Sequence, residues 1–439
     1  HAVHGPNCVK TKTDMKRIIA SAGLAALGAA STQAAYTPGL TPYETSKPWS
    51  IGLDVRGFYD DNYLLDPSDL AQETWGVSVM PWFDLNLALD QTLIGLNYTY
   101  QMWWYEDSNK VDQAHNAEAS VKHAFSDRFK LNVWDRFTYS DRPSIDLEAG
   151  PVSDPLRNEG SYYRNIGNAG FTADVTRTLV LDVGYKNVLW DYTQAGPGSR
   201  SALSDRMEQY ALGEVGFRVN PELTALLGFQ YSVARYSNDE VINPGSLTPL
   251  PSDSRNRDSM YIYAGVTYQM STQWDVAVRL GAQWTKWKEI EDWNSFYAGN
   301  PNWEEQDDSD LMPYADAFMR YTYNPGSYIR LGVINTINST DVLALGAKSV
   351  AGYAEWTHRI TPRWTVGLMG LIQNSWWLGG GESVDGNGEI LYVAGASLEY
   401  SFNKHLLAEV GYGFDNLRSD VESRDYQRNR VYFGLRGAY

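Results

Sequence analysis

Long stretches of the chain alternate between apolar and polar residues. In residues 390–402, for example, Leu398 and Tyr400 fall on one face and Ser397 and Glu399 on the other. A period of two predicts β-strands, because successive side chains of a strand point to opposite faces. Strands of soluble sandwiches usually run about 5–6 residues, whereas here the alternation persists for roughly ten, the length a tilted strand needs to cross a bilayer.

Turn signals divide the chain into these strands. Eight tight turns alternate with nine longer polar stretches, and seventeen connections join eighteen strands. An even number of strands, with short turns at one end and long loops at the other, is typical of outer-membrane barrels. Closure is required because an open sheet edge in hydrocarbon leaves N–H and C=O groups unpaired. The tight turns are at 90–91, 126–127, 177, 220–221, 271–272, 324–326, 361–362 and 403–404, and the loops centre on 60–71, 106–111, 140–159, 193–204, 237–256, 288–309, 338–347, 379–388 and 416–424.

The sequence therefore predicts an all-β fold, a transmembrane antiparallel up-and-down β-barrel of about eighteen strands over residues 48–439. Aromatic side chains near both ends of the strands would form the two interfacial girdles. The alternative is that these rings fill a soluble core. The predicted girdle residues are Phe125, Phe129, Trp190, Tyr268, Trp274, Trp284, Trp364, Tyr400 and Phe402.

Three residues do not fit the alternation smoothly. Pro81 and Pro313 fall inside predicted strands, where proline removes a hydrogen bond of the ladder. Asp135 falls on the nominally apolar face beside Val133. We expect bulges or shifted strand boundaries at the prolines, and at Asp135 a bulge, a position at the lipid headgroups or a different register.

The first 47 residues have the features of processing signals. Residues 1–14 precede Met15 and are interpreted as an upstream segment from a misplaced start, and residues 15–34 as a cleavable signal peptide. Lys16 and Arg17 form its basic region, a short apolar stretch follows, and cleavage is expected near Ala34. Residues 35–47 would be a short periplasmic segment. The single cysteine, Cys8, lies in the part expected to be removed, which suits an oxidising compartment without disulfides.

Charge and motif content narrow the possible functions. Asp and Glu number 53 against 36 Lys and Arg, a net charge of −17, which argues against nucleic-acid binding because that needs a basic face. No serine lies in a G-x-S-x-G context, and we find no His/Cys metal spacing or phosphate-binding loop. We therefore expect neither an enzyme nor a cofactor or metal ion. The acidic stretch 289–310 is interpreted as a solvated loop, with a calcium site as the alternative.

The inward face of the barrel carries the candidate chemistry. At eighteen strands the interior should hold water unless something fills it, and charge on its wall biases which ions pass. Constriction would come from loops such as 140–159 or 237–256. The alternative role for each charge is a cross-strand ion pair that stabilises the wall. The predicted pore-lining residues are Asp54, Arg56, Lys130, Arg136, Asp182, Lys186, Glu214, Arg218, Arg279, Arg330, Glu355, Arg359, Glu399, Glu409 and Arg436.

Two short segments resemble known outer-membrane proteins. The closing stretch Val431–Tyr439, apolar at alternate positions and aromatic at its end, resembles the C-terminal signal that such proteins present to the barrel-assembly machinery. The segment Tyr59–Asn62 is similar to one in the putative beta-barrel porin-2 family. These resemblances imply a Gram-negative-type outer membrane, contact with its lipid and lipopolysaccharide, and an assembly signal formed by Phe433, Leu435 and Tyr439.

The function predicted from these features is a porin-like channel for passive diffusion of small hydrophilic solutes. One alternative is a barrel for export or surface assembly, for example of polysaccharide. Another is a structural or adhesive barrel without an open pore, and an outer-membrane hydrolase comes last. A homo-oligomer is possible by analogy with other porins.

Overall fold

The computed structural model describes residues 48–141, 160–237, 240–245, 249–269, 273–299, 303–380, 386–421 and 424–439. The predicted upstream segment, signal peptide and periplasmic segment, residues 1–47, lie outside the described residues. So does most of the loop 140–159, which the sequence offered as a constriction.

Eighteen strands make up the described chain, as the turn pattern predicted. Each is long enough to cross a membrane when tilted. In chain order they are β1 (Trp49–Asp60), β2 (Thr74–Ala88), β3 (Thr92–Tyr105), β4 (Val111–Ala124), β5 (Phe129–Ser140), β6 (Tyr162–Asp174), β7 (Leu179–Tyr192), β8 (Arg206–Arg218), β9 (Leu223–Tyr236), β10 (Arg257–Tyr268), β11 (Trp274–Trp287), β12 (Ser309–Asn324), β13 (Ser327–Asn338), β14 (Gly346–Arg359), β15 (Trp364–Leu378), β16 (Gly388–Asn403), β17 (Leu406–Ser419) and β18 (Tyr426–Ala438).

The sheet is a closed antiparallel barrel. Every strand pairs with its neighbours in the chain, and β1 also pairs with β18, where Asp54 lies opposite Arg436. Because β1 and β18 pair with each other, the sheet closes on itself, as unpaired backbone in hydrocarbon requires. The eight short connections lie at one end of the barrel, here called the turn end, and the nine longer ones lie at the loop end. The predicted fold class is confirmed.

Alternation along each strand separates two surfaces. In β1, Ile51, Leu53 and Val55 are exposed on the outside, while Asp54 is buried on the inside beside Arg56. The outer wall is apolar elsewhere too, and this gives the barrel the lipid-facing band that a membrane requires. Among the described residues, no helix is both long and apolar enough to cross a membrane.

The two prolines interrupt hydrogen-bond ladders without creating bulges. Around Pro81, the ladder between β2 and β3 stops after Val79 and resumes at Trp82 in the same register. Pro313 lies in β12 just beyond Ala315, where the ladder between β12 and β13 ends. The expected bulges at the prolines are therefore wrong, since proline removes one donor but leaves the register intact. The register shifts fall near the turn end instead, within residues 322–324 of β12 and 401–403 of β16.

In the described parts of the long loops, the chain forms three short helices. They are α1 (Arg200–Ser204), a 3-10 helix (Ser252–Arg255) and α2 (Ile290–Tyr297). The Ser199 side chain caps α1 by accepting from the N–H of Ala202. The 3-10 helix contacts α2, and Trp293 of α2 packs on Leu250 and Leu345 of neighbouring loops. These apolar clusters lie inside the barrel near its loop end.

Candidate functional site

Charged side chains on the lumen wall form ion-pair groups that cross neighbouring strands. In the group on β1, β17 and β18, Arg56 Nη2 lies 3.0 Å from Glu409 Oε2, and Arg436 Nε donates to Asp54 Oδ1 at 2.8 Å. The Tyr432 hydroxyl donates to Glu409 Oε1 at 2.7 Å. Each carboxylate thus has a cation and a further donor, which is what a partly buried charge needs.

A second group joins β8, β10, β11 and β12. Arg279 Nε donates to Glu214 Oε1 at 2.7 Å, and the Tyr263 hydroxyl donates to the same oxygen at 2.9 Å. Asp316 Oδ2 lies 4.0 Å from Arg279 Nη1, and the Arg279 side chain is only 1% exposed. This guanidinium is therefore a neutralised part of the wall, and it offers little charge to a passing ion.

The sector formed by β4 and β5 is wetter. Arg136 Nη2 lies 2.7 Å from Glu118 Oε2, and the Glu118 side chain remains 36% exposed. Lys122, two positions further along the inward face of β4, is exposed, and Lys130 follows on β5 with partial exposure. Here the wall presents charges that water reaches inside the barrel.

The structure places the predicted pore-lining residues on one surface. All fifteen occupy inward-facing positions of their strands. Beyond the pairs already described, Arg330 Nη1 lies 3.7 Å from Glu355 Oε1, and Arg218 Nη2 lies 2.5 Å from Asp174 Oδ1. The cross-strand pairing considered from the sequence is thus the arrangement adopted by many of these charges.

Among the predicted girdle residues, Trp190 is wrongly placed. It lies on the lumen side, 3% exposed, with the guanidinium carbons of Arg164 and Arg206 at 4.6 and 5.4 Å from its ring. These cation–π contacts stabilise a tryptophan ring in a polar lumen. The girdle prediction did not take them into account. The other eight face outward; the Trp274 ring stacks on that of Tyr321, and the Trp364 ring lies tilted 4.6 Å from that of Tyr400. These eight are Phe125, Phe129, Tyr268, Trp274, Trp284, Trp364, Tyr400 and Phe402.

The last strand carries the predicted assembly signal. Phe433 and Leu435 are exposed on its outer face, and Tyr439 is exposed at the end of the chain. The ring of Tyr439 lies 6.1 Å from that of Trp49 and 6.2 Å from that of His405.

At the loop end, β13 separates from β12 but stays paired with β14 as far as Asn338. Above Ala315, β12 has no ladder with β13. The buried Gln283 side chain of β11 instead accepts from the backbone N–H of Ile337 at 2.9 Å and from the Thr336 hydroxyl at 2.8 Å. Ile337 is 3% exposed. One amide thus satisfies backbone that the interrupted ladder would leave unpaired, and it holds the end of β13 inside the barrel.

The connection that follows, residues 339–345, is here called the strap. On one side it meets β8 and β10: the Ser339 hydroxyl donates to Glu208 Oε1 at 2.9 Å and accepts from Arg257 Nη2 at 2.9 Å. The buried Arg255 guanidinium donates to the carbonyl oxygens of Leu203 and Thr340. These contacts tie the strap to the loops that surround α1 and the 3-10 helix.

On its other side the strap meets the connection between β17 and β18. Arg424 Nη2 donates to Asp341 Oδ1 at 3.1 Å and to Glu389 Oε2 at 3.1 Å. Burial alone would lower the pKa of Arg424, but the carboxylates of Asp341 and Glu389 outweigh it and raise that pKa, so the guanidinium stays charged. Arg200 Nη1 lies 4.0 Å from Asp341 Oδ2.

The geometry makes the strap a bridge across the lumen. β8 and β17 are nine strands apart in a ring of eighteen, so its two sets of contacts approach opposite walls. Its apolar residues pack inside: Leu345 joins Trp287, Trp293 and Leu250, and Trp287 Nε1 donates to the Leu345 carbonyl at 3.2 Å. The loop end of the bore is therefore narrowed by a folded segment fixed at several points.

Sequence reasoning missed several of these residues. Lys122 and Arg164 have the same inward parity as the residues that were selected, so the alternation could have identified them. The sequence predicted the strap only as a long loop. Its residues Val342, Leu343 and Leu345 are apolar, and such residues are more often buried than exposed. Residues 249–256, part of a loop expected to constrict the bore, do lie at the strap through Arg255.

Comparison with known proteins found no family model and no curated protein sequence that matches this chain. Solved structures with a similar fold include Pseudomonas aeruginosa OccK2 (OpdF) in complex with glucuronate, at 12% identity and a TM-score of 0.43 over 89% of this chain and 98% of that one. The Pseudomonas aeruginosa outer membrane protein OpdK has 12% identity and a TM-score of 0.40 over 89% and 99%. Acinetobacter baumannii OccAB4 has 8% and 0.40 over 90% and 99%. At these levels nothing about this chain's solutes follows from them.

Proposed function

We propose that this chain is an outer-membrane channel through which small hydrophilic solutes diffuse passively. The observation that carries the proposal is the closed eighteen-stranded barrel with an apolar outer wall and a charged inner wall, part of which is wet at Glu118 and Lys122. A barrel of this size encloses more space than wall side chains alone fill. Passage needs no cofactor, since the solute gradient drives it.

In this proposal the strap and the wall charges together determine which solutes pass. The strap sets the width at the loop end. The fifteen predicted lumen residues then divide into paired charges that stabilise the wall, such as Arg279, and wet charges that act on ions, such as Lys130. Export through the cleavable signal peptide, residues 15–34, and assembly through the closing strand complete the proposal. Lipopolysaccharide would surround the loop end.

Liposome swelling tests the proposal directly. Vesicles containing the refolded chain are diluted into isotonic solutions of uncharged sugars of increasing size. We expect rapid swelling with the smallest sugars and a decline with size, because the strap limits the bore. A properly folded chain that gives no swelling above that of protein-free vesicles would contradict the channel and favour a structural or adhesive barrel.

A further inference from the structure

Two polar side chains lie on the outer wall where lipid contact is expected. Asp135 is exposed on β5 between Val133 and Phe137, and Asn165 Nδ2 on β6 donates to Asp135 Oδ1 at 2.9 Å. A Cβ built on Gly167 would lie 3.3 Å from Asp135 Oδ2, so the carboxylate rests over that glycine. The pair is thus formed on the outer surface, and the register is regular through it. Neither a bulge nor a different register explains Asp135.

The height of Asp135 places it well inside the apolar band. It follows Phe129 by six residues, which is ~20 Å along a strand at ~3.3 Å per residue. With a tilt of about 40° this is a height of ~15 Å, in a band about 25 Å tall. Tyr139 lies four residues further towards the loop end. Asp135 therefore faces the middle of the hydrocarbon, and the headgroup explanation does not hold.

The surroundings of Asp135 differ from the rest of the outer wall. Its cross-strand neighbours are Ala119 on β4 and Gly167 on β6, and Asn187 follows in the same row on β7. Among the described residues, Asn187 Oδ1 is a buried atom without a hydrogen-bond partner. On β9, by contrast, the outer wall carries Leu227 at 62% exposure. This one row of the sector is therefore small and polar, at a depth where lipid favours bulky apolar side chains.

We propose that the outer face of β4 to β7 around Asp135 is the contact between copies of this chain. Asn165 of the same chain donates to Asp135 Oδ1, and acyl chains offer no donor to the other carboxylate oxygen, whereas a partner with amides at the same depth in the membrane does. A second copy does so, because rotation about an axis normal to the membrane keeps Asn165 and Asn187 at the height of Asp135. The amide N–H groups of Asn165 and Asn187 are donors for the Asp135 carboxylate of the other copy, which makes the face complementary to itself. The proposal requires the membrane-spanning barrel and is independent of conduction.

The test compares steric variants on opposite sides of the barrel. Ala119→Trp puts a bulky ring on the proposed contact, and Ala354→Trp puts the same ring on the outer face of β14, nine strands from β5. Native mass spectrometry of the refolded full chain, released from detergent micelles, gives the number of copies. We expect a dimer or trimer for the wild type and for Ala354→Trp, and monomer for Ala119→Trp with the heat-dependent gel migration of a folded barrel.

A second variant keeps the proposal open to contradiction if the tryptophan variant does not fold. Asp135→Leu replaces the carboxylate with an apolar side chain that suits lipid, and we expect self-association at least tenfold weaker than that of the wild type. A wild-type chain that is monomeric at every protein-to-detergent ratio would overturn the proposal. So would an oligomer that both Ala119→Trp and Asp135→Leu leave intact.

Discussion

The ion pairs of Arg424 should hold the strap across the lumen. The Asp341 and Glu389 side chains beside it are only 3% and 4% exposed. Removing one partner of a buried ion pair costs about 3–5 kcal/mol, because a charge is left without compensation. Arg200, 4.0 Å from Asp341, and water entering at the loops reduce that cost. We take ~2–3 kcal/mol for Arg424→Gln, which is roughly a 30- to 150-fold shift towards a released strap.

Single-channel recording measures this shift. In planar bilayers, Arg424→Gln should give a larger conductance level, or frequent transitions to one, that the wild type rarely visits. Arg424→Lys keeps the charge and should lie between the two. Arg363→Gln is the matched control, because Arg363 lies in a connection at the turn end with an exposed contact to Tyr400. A folded Arg424→Gln barrel whose conductance and gating equal those of the wild type would refute the role given to the strap.

Three further predictions concern single side chains. Gln283→Leu leaves the buried N–H of Ile337 without an acceptor, so urea unfolding in vesicles should show a loss of about 1–3 kcal/mol, while the outward Gln209→Leu should show almost none. Lys122→Glu reverses a wet lumen charge and should shift the reversal potential in a KCl gradient towards cations by about fivefold in permeability ratio; an unchanged potential would place Lys122 away from the ion path. Burial raises the pKa of Asp205 above its unfolded value of about 3.9. The stability of the wild type therefore falls as the pH rises from the unfolded pKa through the folded pKa. The increase in urea midpoint produced by Asp205→Asn should be larger at pH 7 than at pH 4.

The barrel was predictable because the bilayer imposes a pattern on sequence. Alternation along residues such as 390–402 follows from an apolar outside and a polar inside, and tight turns at positions such as Asn220–Pro221 mark every second reversal. Both are local signals. Closure followed from the physics of unpaired backbone in hydrocarbon, and the register of β1 on β18 agrees with it.

The strap and the wall pairs depend on contacts that sequence order conceals. Arg424 reaches Asp341 across 83 residues, and Ser339 reaches Glu208 across 131. No periodicity encodes such partners. Trp190 was misplaced for another reason: tryptophan suits both an interfacial girdle and a stack of guanidinium groups, and only the neighbouring Arg164 and Arg206 decide between them.

Ion conduction by the purified chain tests the central claim most directly. Folded barrels, identified by heat-dependent gel migration, are added to a planar bilayer in symmetrical KCl at low protein concentration. We expect discrete insertion steps of constant size with a linear current–voltage relation at moderate voltage, as a water-filled bore fixed by the wall requires. Folded protein that inserts into the bilayer and passes no measurable current would contradict the account.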